Sequence, residues 1–544
     1  MKNKISEVLG LITSGNLLHG LRSAKDLYSS FPDNLNIVKL LVYAYIQVGN
    51  FNKVIKLLDK HFTNNLPAQD FDYFNNMGYA LFQNEDYEKS LIFLKKASSL
   101  KPNLPGPFCS LASVYQKKHD YQKAEQYIDT AIENVLRLDT DSYSYFAHVF
   151  LLKSEINNSL GKDEESIKFF QELLSKKFNE NIFYLLSLIN NQKTDLAIVK
   201  QAESYLEKSP NSYRTNLEKF NSVTPLYFGL ANFYQNIDQS KSENFFDLAN
   251  KEIFQSSKYN SHDYQMRIIK TIDTFKSFFL DFSDNQQFGK NNFFIVGSPR
   301  SGTTLVESII TANDEVFSGG ELNSAKNLIE NYISQSEKED MSIFIKNFRD
   351  TYISRTNFLR GNYKYLVDKM PENFLYLGYL LKILPNSKII RILRDPWDIA
   401  ISLYKQRYVV NVPYSSSFFN IGIFLANFEA INCYWENNLI HKDNIYSIKY
   451  EDLVQNSALY QTEMYEFIGI QPSKYNKEKR MKFFSPTASI RQIKGEINTQ
   501  SVDKGDFAYH KEDFYRAMQM QRDFWISKGI LGEKSDFYGY LKQK

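Results

Sequence analysis

Two stretches in the first half of the chain repeat one residue pattern at a spacing of 34 positions, which restricts the fold more than any other feature. Small residues recur where two helices must approach closely, and aromatic residues recur where they fill the space between helix pairs. A constant period of this length predicts helix pairs that stack into a solenoid. The matching positions are Gly78 and Ala112, Tyr87 and Tyr121, Ser90 and Ala124, and Ala97 and Ala131.

The period and its residue pattern resemble the tetratricopeptide repeat, in which each unit is a helix pair. Weaker copies begin at Tyr43, Leu151 and Tyr227. Residues 1–255 are therefore predicted to form tetratricopeptide-like helical repeats of about six units, some of them degenerate. Residues 256–290 are predicted to contain a linking helix and a polar linker.

The pattern changes in residues 291–544. Short apolar runs at Phe293–Gly297, Lys388–Leu393 and Asn444–Leu453 predict buried strands, and helical patterns follow the first two. Strands that alternate with helices predict a parallel sheet. The predicted fold is therefore multidomain: an all-α tetratricopeptide-like solenoid followed by an α/β P-loop-like domain with a central parallel sheet.

Composition argues against several classes of protein. The chain has 544 residues and a formal net charge of +3, which does not favour nucleic acid as a partner. Its two cysteines, Cys109 and Cys433, lie far apart, and its 7 histidines form no HxH or HExxH pair, so no metal is expected. The N-terminal stretch is a poor signal peptide, and no apolar run reaches the ~18 residues of a membrane span. We therefore expect a cytoplasmic protein. The sequence is compatible with a homodimer and with a monomer.

The segment after the first predicted strand has the features of a phosphate-binding loop. A turn, Ser298–Thr304, leads from the strand directly into a helix. Gly302 permits backbone conformations closed to other residues, and the helix N-terminus adds partial positive charge. Arg300 supplies a full charge, and the hydroxyls of Thr303 and Thr304 supply donors. The loop is predicted to bind an anionic group.

This loop is not a Walker A motif, because the chain lacks GxxxxGK[ST] and with it the lysine that reaches the β- and γ-phosphates of ATP. A nucleotide or sugar kinase of P-loop type is therefore the weaker alternative. Strand-to-helix turns of this kind also occur without a ligand, so the loop alone does not decide the function.

Several segments in fixed order resemble the sulfotransferases. The turn and helix start PRSGTTL resemble their 5′-phosphosulfate loop, and RDPWDIAISLYKQ, from Arg394, resembles their 3′-phosphate segment. GGEL at Gly319, DKMPENF at Asp368 and YEDLV at Tyr450 match further segments. The whole chain resembles the bacterial tetratricopeptide-repeat sulfotransferases, whose catalytic domain is similar to that of the tyrosylprotein sulfotransferases.

The resemblance implies 3′-phosphoadenylyl sulfate as co-substrate and no metal. It implies that Glu321 is the general base, that Lys369 contacts the bridging oxygen and the sulfuryl group, and that Ser489 donates to the sulfuryl oxygens. Arg394 and Ser402 suit the 3′-phosphate, since both follow the second strand. The implied co-substrate residues are Arg300, Ser301, Gly302, Thr303, Thr304, Arg394, Ser402, Tyr450 and Lys504.

The chain departs from the family pattern at several positions. Gln406 and Trp397 stand where relatives have arginine, and Gly495 begins a pair that replaces the usual Gln-Pro or Lys-Pro. Asp398, at the start of a predicted helix, is expected to act as a capping or dipole partner.

The acceptor is not readable from the sequence. A protein tyrosine, a glycan and a small hydroxylated molecule are all compatible with the catalytic residues, and the repeats are expected to hold an acceptor protein or peptide. A repeat scaffold with an inactive sulfotransferase-like domain is the third alternative, which the joint presence of the catalytic and co-substrate residues argues against.

Overall fold

A computed structural model of the chain describes residues 2–62, 70–138, 143, 146–189, 196–208, 216–256, 259–278, 288–335, 340–408, 412–439, 442–481, 483, 497–499, 502 and 505–533. The chain separates into two compact units, Met1–Ile156 and Asn157–Lys544. The predicted domain limits at residues 255 and 291 stay a prediction.

The first unit is a series of helices that pack on their sequence neighbours. The helices are α1 Lys2–Thr13, α2 Leu17–Ser30, α3 Leu35–Gln47, α4 Phe51–Phe62, α5 Phe71–Gln83, α6 Tyr87–Leu100, α7 Pro105–Lys117 and α8 Tyr121–Leu136, with α9 Ala147–Ser159 at its end. The predicted helical repeats are confirmed.

The 34-residue spacing has a direct structural meaning. Asp86 and Asp120 are both helix N-caps, and their side chains accept hydrogen bonds from backbone amides in the first turns of α6 and α8. A Cβ on Gly78 would lie 2.8 Å from Cδ2 of Leu94, so α5 and α6 can meet this closely only at a residue without a side chain. In these two helix pairs the second helix therefore begins at a capped turn, and in the pair α5–α6 a glycine allows the close approach.

The second unit begins with further helices in the predicted repeat region. These are α10 Asp163–Lys176, α11 Glu180–Ile189, α12 Leu196–Lys208, α13 Asn216–Tyr234 and α14 Gln239–Ser256, followed by the predicted linking helix, α15 Ser261–Lys276. They belong to the same compact unit as the sheet.

In the part of the chain that the structure describes, five parallel strands form the sheet, in the order β2-β3-β1-β4-β5. They are β1 Asn292–Gly297, β2 Val316–Ser318, β3 Tyr365–Asp368, β4 Lys388–Leu393 and β5 Ile445–Lys449. In register, Ile295 pairs with Ile390 of β4, and Phe294 with Asp368 of β3. The predicted parallel sheet is confirmed, and two short strands, β2 and β3, add to the three that the sequence indicated.

Helices cover the sheet. They are α16 Thr303–Ile310, α17 Ser324–Gln335, α18 Met341–Arg360, α19 Leu377–Ile383, α20 Pro396–Tyr404, α21 Phe418–Asn438, α22 Tyr450–Gln455, α23 Ser457–Phe467, α24 Lys477–Met481 and α25 Lys511–Ser527. One core consists of the apolar faces of β1, β4 and α16, including Ile295, Ile392 and Val306, all fully buried.

Helix α14 is joined to the carboxyl end of α20. The Asn250 side chain donates a hydrogen bond of 2.8 Å to the Tyr404 carbonyl, and Asp247 accepts a 2.8 Å bond from the Tyr404 hydroxyl. Asp247 also accepts a bond from the Tyr509 hydroxyl and lies 3.4 Å from the His510 ring. A helix predicted as a repeat therefore fixes the end of a helix that follows β4.

Among the described helices, none is both long enough and apolar enough to cross a membrane.

Candidate active site

The strand ends bring the predicted residues together at one edge of the sheet. Arg300 lies in the loop after β1, Glu321 follows β2, Lys369 follows β3, Arg394 follows β4 and Tyr450 follows β5. Strand β1 lies between β3 and β4. Strands β2 and β3 lie on one side of β1, and β4 and β5 lie on the other, so the order in which the chain adds strands reverses direction beside β1. Open α/β sheets bind their ligands outside the carboxyl ends of the strands at such a point.

The loop between β1 and α16 has an unusual backbone. Gly302 has a φ of 104°, and Arg300 has a φ of 70°, both in the left-handed region. A Cβ at Gly302 would lie 2.5 Å from Cδ2 of Tyr450, so glycine is needed there for conformation and for space. The sequence indicated the need for Gly302 but not the left-handed Arg300.

The loop has donor groups suited to an anion. Helix α16 begins at Thr303, and the first amides of a helix have no acceptor within the helix. Ser301 is fully buried, and among the residues that the structure describes its hydroxyl oxygen has no hydrogen-bond partner. Thr303 and Thr304 are also buried. A buried hydroxyl beside open helix amides fits a phosphate or sulfate oxygen.

Arg394 is buried beside this loop rather than exposed. Its Nη1 donates a 3.0 Å hydrogen bond to the Arg300 carbonyl, and its guanidinium lies 4.4 Å from the centre of the Tyr450 ring. Nη2 lies 3.9 Å from Oδ2 of Asp398. These contacts fix a positive charge next to the loop after β1 and give Tyr450 a structural role in the site.

Arg300 and Ser402 lie in contact, since Nε of Arg300 donates a 2.9 Å hydrogen bond to Oγ of Ser402. Burial and the nearby Arg394 lower the pKa of Arg300, while interactions with Tyr408 and Glu321 act in the opposite direction. The loop after β1, the helix after β4 and the segment after β2 therefore share one electrostatic environment.

Lys369 forms the second centre of the site. Its side chain is fully buried, and Nζ lies 2.6 Å from Oε1 of Glu321 and 3.8 Å from Oε2 of Glu307. The Lys369 amide donates to the Gly320 carbonyl at 2.9 Å, which holds the ends of β2 and β3 together. The Glu321 side chain is 42% exposed, so this carboxylate is accessible to a second molecule.

The N-cap of α20 decides between the two roles expected for Asp398. Asp395, not Asp398, is the capping residue, because its side chain accepts hydrogen bonds from the amides of Trp397 and Asp398. Asp398 lies in the first turn, where an acidic side chain interacts favourably with the helix dipole, and it also faces Arg394.

Two of the predicted residues, Ser489 and Lys504, lie outside the described residues, as does Gly495. Two residues that the sequence reasoning missed belong to the site. Glu307 is a fully buried carboxylate within the apolar helix α16, and that contrast was a usable signal. Tyr408 interacts with Arg300 and Glu321, and burial raises its pKa to about 12.

Within the described ranges, no group of three His, Cys, Asp or Glu side chains is arranged to hold a metal ion.

Comparisons with known proteins give two family matches. Residues 292–474 match the sulfotransferase family, and residues 71–104 match the tetratricopeptide repeat. An uncharacterized protein from Aquifex aeolicus is 27% identical over 288 residues, covering 49% of this chain and 37% of that protein. The chain therefore matches well under half the length of this relative.

Solved structures of both kinds are similar to parts of the chain. A tetratricopeptide repeat protein from Parabacteroides merdae is 15% identical, with 49% of this chain and 96% of that chain covered and a TM-score of 0.31. The sulfotransferase domain from the curacin biosynthetic pathway is 16% identical, with 44% and 97% covered and a TM-score of 0.27. A sulfotransferase from Mycobacterium tuberculosis is 13% identical, with 59% and 98% covered and a TM-score of 0.25.

The strand-end site, with its loop after β1, lies within the matched range of residues 292–474. Residues 292–474 thus form a domain of the sulfotransferase family, in a chain that also contains a tetratricopeptide repeat.

Proposed function

We propose that the chain is an enzyme that transfers a sulfuryl group from 3′-phosphoadenylyl sulfate to a hydroxyl group of its acceptor. One observation carries this proposal, which is that two groups of side chains lie at the same edge of the sheet. The loop after β1, with its open amides and the buried Ser301 hydroxyl, lies beside Arg300 and Arg394. The buried Lys369, paired with the accessible carboxylate of Glu321, follows the neighbouring strands. The first group suits an anionic donor, and the second suits proton removal and charge neutralisation.

The donor has three anionic groups, and the site offers a place for each. Ser301, Thr303 and Thr304 would hold the 5′-phosphate and the sulfate together with the amides of α16. Arg394 and Ser402 would hold the 3′-phosphate, because both lie beside the loop on the far side from Glu321 in strand order. Ser489 and Lys504, implied by the family resemblance, would complete the donor site.

The donor supplies an activated sulfuryl group, and the side chains act on charge and protons. Glu321 would accept the proton of the acceptor hydroxyl, since its carboxylate is both accessible and held in place by Lys369. Lys369 would offset the negative charge that develops as the sulfuryl group leaves the nucleotide. Glu307 would keep Lys369 oriented from the buried side.

The test is sulfate transfer by the full chain. The protein is incubated with labelled 3′-phosphoadenylyl sulfate and a cell lysate, beside the Glu321→Gln variant as a matched control. Labelled product that forms with the wild type and is reduced in the variant would support the proposal. Equal labelling by both proteins, or turnover of ATP with Mg²⁺ in place of sulfate transfer, would contradict it.

The helical repeats are a separate element of the proposal. Tetratricopeptide arrays generally bind other proteins along their surface, so the first unit is proposed to hold an acceptor protein or peptide. The reaction chemistry does not depend on this role.

A further inference from the structure

Helix α20 carries two side chains that leave it in nearly opposite directions, Ser402 and Tyr404. With about 3.6 residues per helical turn, side chains two positions apart lie roughly 200° apart around the axis. Ser402 contacts the loop after β1, where its hydroxyl oxygen accepts the 2.9 Å bond from Nε of Arg300. Tyr404 is buried and bonds to α14. Helix α20 is therefore held between the loop of the candidate site and a helix of the predicted repeat region.

Asn250 of α14 closes the carboxyl end of α20. Tyr404 is the last residue of α20, and the last carbonyls of a helix have no partner within that helix. The Asn250 side chain supplies one, because its Nδ2 donates to the Tyr404 carbonyl at 2.8 Å. Asn250 is only 1% exposed, so without this donor the carbonyl would face a dry interior. An unsatisfied buried carbonyl is costly, and the end of α20 therefore depends on Asn250.

Further contacts hold the same end of α20 from the same helix. Asp247 accepts the 2.8 Å bond from the Tyr404 hydroxyl, so α14 binds Tyr404 at both its carbonyl and its side chain. Lys405, the next residue, forms an ion pair with Asp506, which also accepts a hydrogen bond from Gln239 at the start of α14. Contacts at several points along α14 fix both the position of α20 and its rotation about its axis.

The rotation of α20 decides where the Ser402 hydroxyl lies. Ser402 is half-buried, and a hydroxyl that accepts a bond from Arg300 still has its own proton to donate to a ligand. Arg300 has a left-handed φ of 70°, a conformation that persists only where the surroundings hold it. Arg394 holds the Arg300 carbonyl at 3.0 Å, and Ser402 holds the side chain. A shift of α20 would therefore disturb Ser402 and Arg300 together.

We propose that Asn250 is a positioning residue for donor binding: it holds the end of α20 so that Ser402 can fix Arg300 and donate to the 3′-phosphate. The proposal rests on the sulfuryl transfer proposed above, in which Ser402 and Arg394 bind that phosphate. Asn250 bonds to the face of α20 opposite Ser402, so it acts on the donor only through this helix. Helix α14, predicted as part of the repeats, thereby supports the donor site.

The first experiment removes the donor group of Asn250 in the full chain. Asn250→Leu keeps a similar size, and since Oδ1 of Asn250 has no hydrogen-bond partner among the described residues, only the bonds from Nδ2 are lost. In calorimetry, the affinity for adenosine 3′,5′-bisphosphate should fall about two- to tenfold, as for one lost hydrogen bond. Affinity for adenosine 5′-monophosphate should not change. Unchanged bisphosphate affinity, or an equal loss for both nucleotides, would overturn the inference.

A matched control lies on the same helix. Ser242 of α14 is buried, and its hydroxyl donates a 2.8 Å bond to the Ala231 carbonyl of α13. Ser242→Ala therefore removes a buried hydrogen bond from α14 at a residue that bonds to α13 instead of α20. Both variants should lower the melting temperature, but only Asn250→Leu should weaken the bisphosphate. The same loss of affinity in both variants would mean that general destabilisation, and not the position of α20, is responsible.

A double variant tests whether Asn250 acts through Ser402. Ser402→Ala alone should weaken the bisphosphate, because it removes the hydroxyl that holds Arg300 and faces the 3′-phosphate. In that background Asn250→Leu should cause no further loss, since two residues that act through one contact do not have additive effects. Additive losses would mean that Asn250 does not act through Ser402 and would overturn the inference.

Tyr404→Phe gives a second, milder variant should Asn250→Leu fail to fold. It removes only the hydroxyl that bonds to Asp247 and should weaken the bisphosphate in the same direction. The wild type separates this inference from the function on which it rests. If the wild type binds the bisphosphate and both variants bind it equally well, only the positioning role fails. If the wild type does not bind the bisphosphate, the proposed donor site fails and the positioning role fails with it.

Discussion

The ammonium group of Lys369 lies 2.6 Å from one carboxylate oxygen of Glu321 and 3.8 Å from one of Glu307, although Lys369 itself is fully buried. Two carboxylates beside a buried ammonium group offset part of the hydration that it loses on burial. Glu321 reaches the accessible side of the site, whereas Glu307 is fully buried. The three residues thus connect the interior of α16 to the place where an acceptor would bind.

Replacing Glu321 should separate catalysis from nucleotide binding. Glu321→Gln keeps the size of the side chain and removes its proton-accepting carboxylate. Since a general base contributes about 10²–10⁴-fold in rate, kcat should fall by that order. Affinity for adenosine 3′,5′-bisphosphate, measured by calorimetry, should change little. Near-normal transfer would argue against Glu321 as the base.

Glu307 should act through Lys369 rather than on the substrate. Glu307→Gln keeps an acceptor for the Ser318 hydroxyl, which bonds to Glu307 at 2.6 Å, but removes the second negative charge beside Lys369. We expect a lower kcat with an unchanged KM, because Lys369 has lost one of the two carboxylates that hold its ammonium group in place. A variant with the wild-type kcat would make Glu307 a packing residue only.

Gly302 should tolerate no side chain. Gly302→Ala places a methyl group against the Tyr450 ring and forces alanine into a left-handed conformation. The conformation alone costs about 1–2 kcal/mol, and displacement of Tyr450 should also disturb Arg394. Chemical denaturation should show the lower stability, and bisphosphate affinity should fall with it. Ala at Gly320, where φ is 63° but nothing lies within 4 Å of the added Cβ, is the control.

Arg394 should discriminate between nucleotides by their 3′-phosphate. Arg394→Ala is expected to weaken adenosine 3′,5′-bisphosphate far more than adenosine 5′-monophosphate, because a lost hydrogen bond to a charged group costs about 1.5–3 kcal/mol. Calorimetric titration with each nucleotide provides the comparison. An equal loss for both would mean that Arg394 acts through its bond to the Arg300 carbonyl and supports only the loop.

The hydrogen bonds through which Asp247 of α14 holds the end of α20 should weaken in acid. Burial raises the pKa of Asp247, but hydrogen bonds from His510, Tyr509 and Tyr404 outweigh burial and hold that pKa below its usual value. Because the pKa of Asp247 is lower in the folded state than in the unfolded state, its carboxylate stabilises the folded state at any pH above the unfolded pKa of about 3.9. This contribution is lost as the pH falls through the pKa of the folded state.

Asp247→Asn should therefore be less stable than the wild type at neutral pH, by about 1 kcal/mol for the weakened bonds. The difference should shrink as the pH falls below about 4, where the wild-type carboxylate becomes protonated. Urea unfolding at a series of pH values measures it. A difference that does not depend on pH would mean that Asp247 contributes by packing alone.

Sequence patterns were sufficient for the long elements of the fold. Strands β1 and β4 have six mostly apolar residues each and are followed by helical periods, so both strands could be predicted. Strands β2 and β3, of three and four residues, are too short to show a period, and neither was predicted as a strand. Their presence was indicated only indirectly, by the family segments that begin at Gly319 and Asp368.

Some features of the candidate site depend on tertiary contacts and could not be predicted from the sequence. Lys369 taken alone reads as a surface lysine, yet the bond between its amide and the Gly320 carbonyl draws it into the interior. The N-cap of α20 falls on Asp395 rather than Asp398, because the helix begins at Pro396. The electrostatic interaction of Tyr408 with Arg300 and Glu321 depends on how the chain turns after α20, for which the sequence has no periodic signal.

The most direct test of the central claim is a calorimetric titration of the full chain with adenosine 3′,5′-bisphosphate and, in parallel, with ATP and Mg²⁺. The loop after β1 lacks the Walker lysine, and Arg394 and Ser402 lie where a second phosphate would bind. We predict tight binding of the bisphosphate, much weaker binding of ATP, and no dependence of the bisphosphate titration on Mg²⁺. Equal affinity for the two nucleotides, or binding of ATP alone, would contradict a sulfotransferase donor site.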